Sequence, residues 1–255
     1  MNLKNTAKTI DDIIQILEEI IENSIQNNDP SGYFAALYQQ VTIKVKEGIT
    51  NNFFENGPRM EKLDILFAKR YIDAFECWKN NQPVTQSWEK AFALAERNDP
   101  IVLQHLLIGM NAHINLDLGI AAAEISNGPI ISDLQNDFNK INEILSAQVN
   151  DVQNKLVSIW PMLGKILNKT GLVDNLIVDF SMELARDGAW KFATELVKLS
   201  GSYKNTGIQN RDLKVAEKAK IVTDPGFVAK IILWIIRIGE KGSVAEKIKK
   251  LKYKL

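Results

Sequence analysis

Apolar residues recur three and four positions apart along most of the chain, and no segment sustains the strict alternation that marks a half-buried strand. Thr9 and Asp12 resemble a capping box ahead of the first apolar run, which continues to about Gln26. Asp29-Pro30-Ser31-Gly32 breaks the pattern. Tyr33, Phe34, Leu37, Tyr38 and Val41 then share a second helical face that ends near Gly48. Asn56-Gly57-Pro58 marks a turn before a helix over 59–79, and Asn80-Asn81-Gln82-Pro83 closes it. A short helix capped by Thr85 or Ser87 runs through Glu96.

Asp99-Pro100 has the form of an N-cap followed by proline in the first helical position. The helix it opens is predicted to run unbroken to Glu124, where Asn127-Gly128-Pro129 stops it. Further helices are expected over 132–159, 173–199 and 211–221, with 201–210 as a polar connector. Asp224-Pro225 repeats the start signal before an apolar helix to Ile238, and a basic amphipathic helix covers 243–255. The fold class that follows is all-α, a single multi-helix bundle. Its axis is a central helix at about 100–126, apolar nearly all round and therefore buried. Residues 1–202 are expected to form the core domain and 203–255 a helical extension packed on it.

Composition narrows the chemistry. Lys+Arg and Asp+Glu are both 31 in 255 residues, so no basic excess points to nucleic acid. A single cysteine, Cys77, excludes an internal disulfide framework and multi-cysteine metal centres. The N-terminus shows no secretory pattern, and the most apolar stretch, 227–238, is interrupted by Lys230 and well short of the ~20 residues of a span. The expectation is a cytoplasmic protein of open oligomeric state. No GxG, P-loop, GxSxG or HExxH string is present.

What chemistry remains concentrates on the central helix. His105 and His113 are the only histidines. At about 100° per residue, His105, Gly109, His113 and Asp117 form a ladder along one side. Glu124 falls near the same angle two turns on, and Asn111 and Asn115 form a second strip roughly opposite. Polar groups buried without partners cost several kcal/mol, so these need side chains, water, a metal or a substrate. His113 and Asp117 at i, i+4 can share a metal ion, or Asp117 can orient the imidazole for proton transfer. A satisfied hydrogen-bond network that fixes helix register is the bland alternative.

Two other helices offer groups to face that ladder. Asp64 falls in the middle of an apolar face with Met60, Phe67, Ala68, Tyr71 and Phe75, where a carboxylate should be functional or paired with an arginine such as Arg59 or Arg186. Asp179, Glu183, Arg186 and Trp190 share one stripe, readable as an anion clamp with an aromatic wall or as an ion pair over a packed indole. Tyr33, Tyr38 and Tyr71 could line a pocket with their hydroxyls.

The string Gly109-Met110-Asn111-Ala112-His113-Ile114-Asn115-Leu116-Asp117-Leu118 resembles the mark of a bacterial family of all-helical proteins with no assigned reaction. Supporting strings are Gly32-Tyr33-Phe34-Ala35-Ala36-Leu37-Tyr38, Arg59-Met60-Glu61-Lys62-Leu63-Asp64, Arg70-Tyr71 and Ala185-Arg186-Asp187-Gly188-Ala189-Trp190. A fainter resemblance, to the helical zinc phospholipase C and P1-type nuclease superfamily, rests on HxxxD at His113 and Asp117. It implies zinc, but those enzymes use several further histidines that this chain lacks. At most one or two divalent ions follow, with His113, Asp117 and Asp64 as ligands and Glu124 or Glu183 as further oxygen donors.

Three function classes therefore stand. The first is an enzyme, with hydrolysis of a phosphoester or similar bond as its reaction class. Its catalytic set is His113, His105 and Asp117, and its substrate contacts are Arg186, Trp190, Tyr33, Tyr71, Asn111 and Asn115. The second is a helical module holding an apolar or amphipathic small molecule. The third is a structural or interaction protein. The lysine-rich C-terminal helix adds contact with an anionic membrane surface, or simply a solvated basic end.

Overall fold

The computed structural model describes residues 7–126, 131–160 and 182–252, and these are helical with no strand among them. Helix α1 (Ile10–Asn27) starts on the capping box, with Thr9 and Asp12 satisfying each other's backbone N–H groups. It packs chiefly on α2 (Gly32–Thr50). Helix α3 (Gly57–Lys79) is capped by the Asn56 side chain, which accepts from the Arg59 N–H at 3.0 Å. Helix α4 (Gln86–Ala95) follows.

The central rod is continuous from Val102 to Ile125 but not uniform. It comprises α5 (Val102–Ala112), a π-helical turn (His113–Leu118) and α6 (Gly119–Ile125). Every residue from Ile101 to Ala123 except Met110 is buried. The rod has the length and composition of a membrane span, yet 94% of its most apolar window lies inside the fold, as a core helix does. Each fully buried Leu or Ile there contributes about 1.5–3 kcal/mol of transfer free energy.

The rod is enclosed by α2, α3 and α4 and by two later helices, α8 (Met182–Leu196) and α9 (Gly201–Lys218). Its glycines permit close crossings. A Cβ at Gly109 would stand 2.4 Å from the Phe34 ring, and one at Gly119 would stand 2.9 Å from the Ala189 carbonyl oxygen. A 3-10 turn (Ile131–Leu134) leads into α7 (Gln135–Ile159). Asp137 fixes α7 to the loop before α3 by accepting from the Glu55 N–H at 2.6 Å, the Asn56 N–H at 3.0 Å and Arg59 at 3.1 Å. Gln40 ties α7 to α2 through Gln148 and Asp151, each at 2.6 Å.

After α9 come a short α10 (Lys220–Thr223), α11 (Phe227–Gly239) and α12 (Val244–Leu251). The basic α12 packs on α1, α2 and α7. Its Lys247 is buried against Glu240 at 2.9 Å, and Lys252, just beyond it, pairs with Glu18 and with Glu22 at 2.8 Å. Helix α11 buries Leu233 and Ile236 and leaves Phe227, Ile231, Trp234, Ile235 and Ile238 exposed.

Four expectations are corrected. Asp99 does not cap the central helix, because Arg97 holds its carboxylate at 2.6 Å; the Ile101 N–H is met by Gln104 Oε1 instead. Asp224 likewise pairs with Lys230 at 2.5 Å, and α11 begins at Phe227. The polar stretch 201–210 is helix rather than connector, since α9 is anchored further along by Arg211, Asp212 and Val215 and extends back through it. The central helix is not α-helical throughout. A π turn closes i to i+5 and shifts the phase of everything after it, and Glu124 is exposed instead of joining the ladder. The sequence signals at 127–129, 161–172 and Asp179 lie outside the described residues.

Candidate functional site

The π turn begins at His113, and the imidazole is buried in a box of aromatic rings. Phe67 of α3 stacks on it with ring centroids 3.6 Å apart and planes 6° off parallel. Tyr38 of α2 meets it edge-on at 4.5 Å. Phe34, Trp88 and Tyr71 complete the box at 5.8, 5.9 and 6.1 Å. The local sequence explains the convergence. Phe34 and Tyr38 are four apart on α2, and Asp64, Phe67 and Tyr71 share one face of α3.

Asp117 lies at the end of the same turn and is fully buried. Its Oδ1 accepts from Arg70 Nε at 2.7 Å. Its Oδ2 accepts from Trp88 Nε1 at 2.8 Å and faces His113 Nδ1 at 3.2 Å. Burial alone would raise this carboxyl; His113, Arg70 and Trp88 outweigh it and hold Asp117 below the usual range, as an anion. For His113 burial wins over the attraction of Asp117, and its pKa falls below the usual value, leaving a neutral ring. The carboxylate fixes the tautomer: Nδ1–H donates to Asp117, and Nε2 keeps its lone pair. Nε2 is buried and has no hydrogen-bond partner.

His113 also lines a cavity of about 200 Å³ between α2, α3, α5, α7 and α8. Its walls are largely apolar, with Leu103, Leu107, Met110, Ile114 and Leu145 among them. The polar lining groups include Tyr38, Asp64 and Arg186. Asp64 is buried, its Oδ2 has no partner, and it forms no ion pair among the described residues. The structure gives Arg59 to Asp137 instead. Burial, reinforced by the charge of Glu61, pushes the Asp64 carboxyl up to about 8. The Tyr38 hydroxyl is also buried without a partner, and burial followed by the nearby Asp64 pushes it well above the usual phenol range. At neutral pH the residues lining the cavity therefore carry a buried imidazole lone pair, a protonated carboxyl and a phenol, beside the Arg186 guanidinium.

The remaining expected residues are distributed elsewhere. His105 does not reach this cavity. It packs against Tyr33 with centroids 5.3 Å apart and borders a separate void of about 20 Å³ beside Gly109, room for about one water. Burial first, then Arg237 and Lys247, pushes its pKa down to about 3. Tyr71 lines that smaller void, and its hydroxyl has no partner. Asn111 and Asn115 face α9: Asn111 donates to the Val215 carbonyl at 2.9 Å, and Asn115 donates to Asn111 at 3.2 Å. The Asn115 carbonyl, inside the π turn, accepts from Arg211 Nε at 2.8 Å. Trp190 packs on Phe138 at 4.9 Å, apart from the cavity that Arg186 lines. Asp179 and the Glu183 side chain lie outside the described residues. Among the described residues no group of three or more His, Cys, Asp and Glu is arranged to hold a metal ion, so His113, Asp117 and Asp64 are not brought together as a ligand set.

Arg70, Trp88 and Phe67 were not singled out from the sequence as partners of His113 and Asp117. The usable signal was Asp117 itself: a carboxylate on a buried helix requires cationic or N–H donors from other elements.

The chain belongs to a family of unknown function, DUF5995, whose model matches residues 10–225. No curated protein and no solved structure matches the chain.

Proposed function

We propose that the protein binds an uncharged apolar or amphipathic small molecule in the cavity, with His113, Asp64 and Tyr38 contacting its polar end. The observation that carries this reading is the coexistence of three buried, unpartnered polar atoms, His113 Nε2, Asp64 Oδ2 and the Tyr38 hydroxyl, on residues lining one apolar space. Leaving each without a partner costs about 1–3 kcal/mol. A ligand with a hydrogen-bonding end removes that cost while its apolar part meets Leu103, Leu107, Met110 and Ile114. Cavities of about 150 Å³ lined by apolar residues take up benzene, so about 200 Å³ suits a ring or short chain bearing one polar group.

Phosphoester hydrolysis is supported less well. A phosphate anion would have to leave water for largely apolar walls, at a large desolvation cost, and the one arginine on the described lining, Arg186, already has a partner. The metal that the phospholipase resemblance implies lacks an assembled ligand set among the described residues.

Saturation-transfer NMR with cyclohexanone and 2-octanone tests the reading, with Val41→Phe as the variant that fills the cavity from α2. Binding to the wild-type protein and its loss in Val41→Phe is the expected result. Failure of both ketones to bind, with saturable binding of 4-nitrophenyl phosphate, would favour the hydrolase reading instead.

A further inference from the structure

The polar atoms at the cavity differ in what they can do, and the difference points to a reaction. His113 Nε2 is an acceptor with an orienting carboxylate behind it. Asp64 and Tyr38 are donors in their neutral forms, and both lie buried on the α2 and α3 walls of the same space. A base and two neutral O–H donors on residues lining one apolar site suit charge that develops on an oxygen as a proton leaves a nearby carbon.

We propose that the protein moves a proton on the carbon next to a carbonyl group, with His113 Nε2 as the base and the Asp64 carboxyl and Tyr38 hydroxyl as donors to the carbonyl oxygen. This rests on the binding reading above and names its substrate class as neutral ketones or enones. In the first step the Nε2 lone pair takes the α-proton. The C–H electron pair becomes the carbon–carbon double bond, and the carbonyl π pair moves to oxygen, giving an enolate held by two O–H hydrogen bonds. His113 is then an imidazolium against Asp117. In the second step the imidazolium returns a proton to the α-carbon, or in a β,γ-unsaturated ketone to the γ-carbon, which isomerises the double bond; in heavy water its N–H exchanges with solvent first, so a deuteron is returned. No oxidant, reductant or water is consumed.

The surroundings fit both steps. The Asp117 anion stabilises the imidazolium as it forms. Arg70, which holds Asp117 at 2.7 Å, opposes the positive ring and favours return of the proton. Trp88 fixes the other carboxylate oxygen at 2.8 Å, so the imidazole is presented in one orientation. The Phe67 stack at 3.6 Å holds the plane of the ring. Neither a nucleotide nor a metal is needed for this chemistry, and the largely apolar walls offer few other groups to compete for the enolate.

The test is deuterium uptake by cyclohexanone in heavy water, followed by the loss of its α-proton NMR signals, with binding measured in parallel by saturation transfer. The wild-type protein should accelerate exchange above buffer. His113→Gln, whose amide keeps a hydrogen-bonding group at the site, should bind the ketone more weakly and return exchange at saturating ketone to the buffer rate. Asp64→Leu, which removes a donor without leaving a buried group unpaired, should bind and exchange about 100-fold more slowly. Asp64→Asn, which keeps an N–H donor, should retain part of the rate. Ketone binding with exchange no faster than in His113→Gln would overturn the proton-transfer proposal and leave the binding reading intact. Absence of ketone binding to the wild-type protein would overturn both.

Discussion

His113 Nδ1 stands 3.2 Å from Asp117 Oδ2, and both residues lie within one π-helical turn of an otherwise α-helical rod. π turns are rare and concentrate at functional sites. Here the turn sits where the rod carries its imidazole and carboxylate. It also contains the Asn115 carbonyl that Arg211 of α9 engages from outside.

Asp117 joins three donors from three elements: Arg70 of α3, Trp88 of α4 and His113. Asp117→Ala leaves a partly buried guanidinium and a buried indole N–H unmatched and should cost about 2–3 kcal/mol. Asp117→Asn should cost less, because the amide oxygen still accepts one hydrogen bond, but it should release the His113 tautomer. Urea unfolding measures the first effect. The histidine nitrogen chemical shifts measure the second.

The charge state of Asp64 should appear in stability against pH. Its folded pKa is raised from 3.8 to about 8, so the folded state binds the proton more tightly than the unfolded chain. That contribution is fully present below about 3.8 and is lost as pH rises through about 8. Asp64→Asn should therefore match the wild type near pH 4 and exceed it in stability at pH 9, as read from urea midpoints at the two pH values. A wild type that equals the variant at both would show an ionised, solvated Asp64.

The histidines act in the opposite sense. His105 and His113 have folded pKa values below the ordinary 6.5, and for His105 burial and the nearby Arg237 and Lys247 bring it to about 3. Their contribution is present above about 6.5 and is lost as pH falls below it, because the unfolded chain takes up protons that the folded one refuses. His105→Gln should flatten the acid limb of the stability curve between pH 6.5 and pH 4, measured by chemical denaturation.

Gly109→Ala tests the crossing of α2 over the rod. The added methyl would stand 2.4 Å from the Phe34 ring. Overpacking costs about 1–3 kcal/mol, while alanine returns about 1 kcal/mol of helix propensity. Net destabilisation is the expected outcome, together with weaker ketone binding, since Phe34 also lines the cavity.

Asp212 of α9 caps α4 from a distance, accepting from the Gln86 N–H at 2.7 Å and the Ser87 N–H at 2.9 Å. Asp212→Ala should cost about 0.5–2 kcal/mol, the usual worth of a cap. Hydrogen exchange should show the loss at the first turn of α4, next to Trp88.

The sequence alone determined that the chain is helical, that the segment near 100–126 is its buried axis, and that His113 and Asp117 belong together. These follow from local spacing: apolar residues on every side of a helix require protein on every side, and i, i+4 side chains meet without outside help. Tertiary structure decided the rest. The pairing of Asp117 with Arg70 and Trp88, 47 and 29 residues away, depends on how α3 and α4 cross the rod, which local spacing does not encode. The separation of His105 from the cavity has the same origin, because Phe34 fills the groove at Gly109 between the two imidazoles. The π turn too was invisible in the sequence. Its Asn115 carbonyl is met by Arg211, 96 residues along the chain, a partner that only the folded chain supplies.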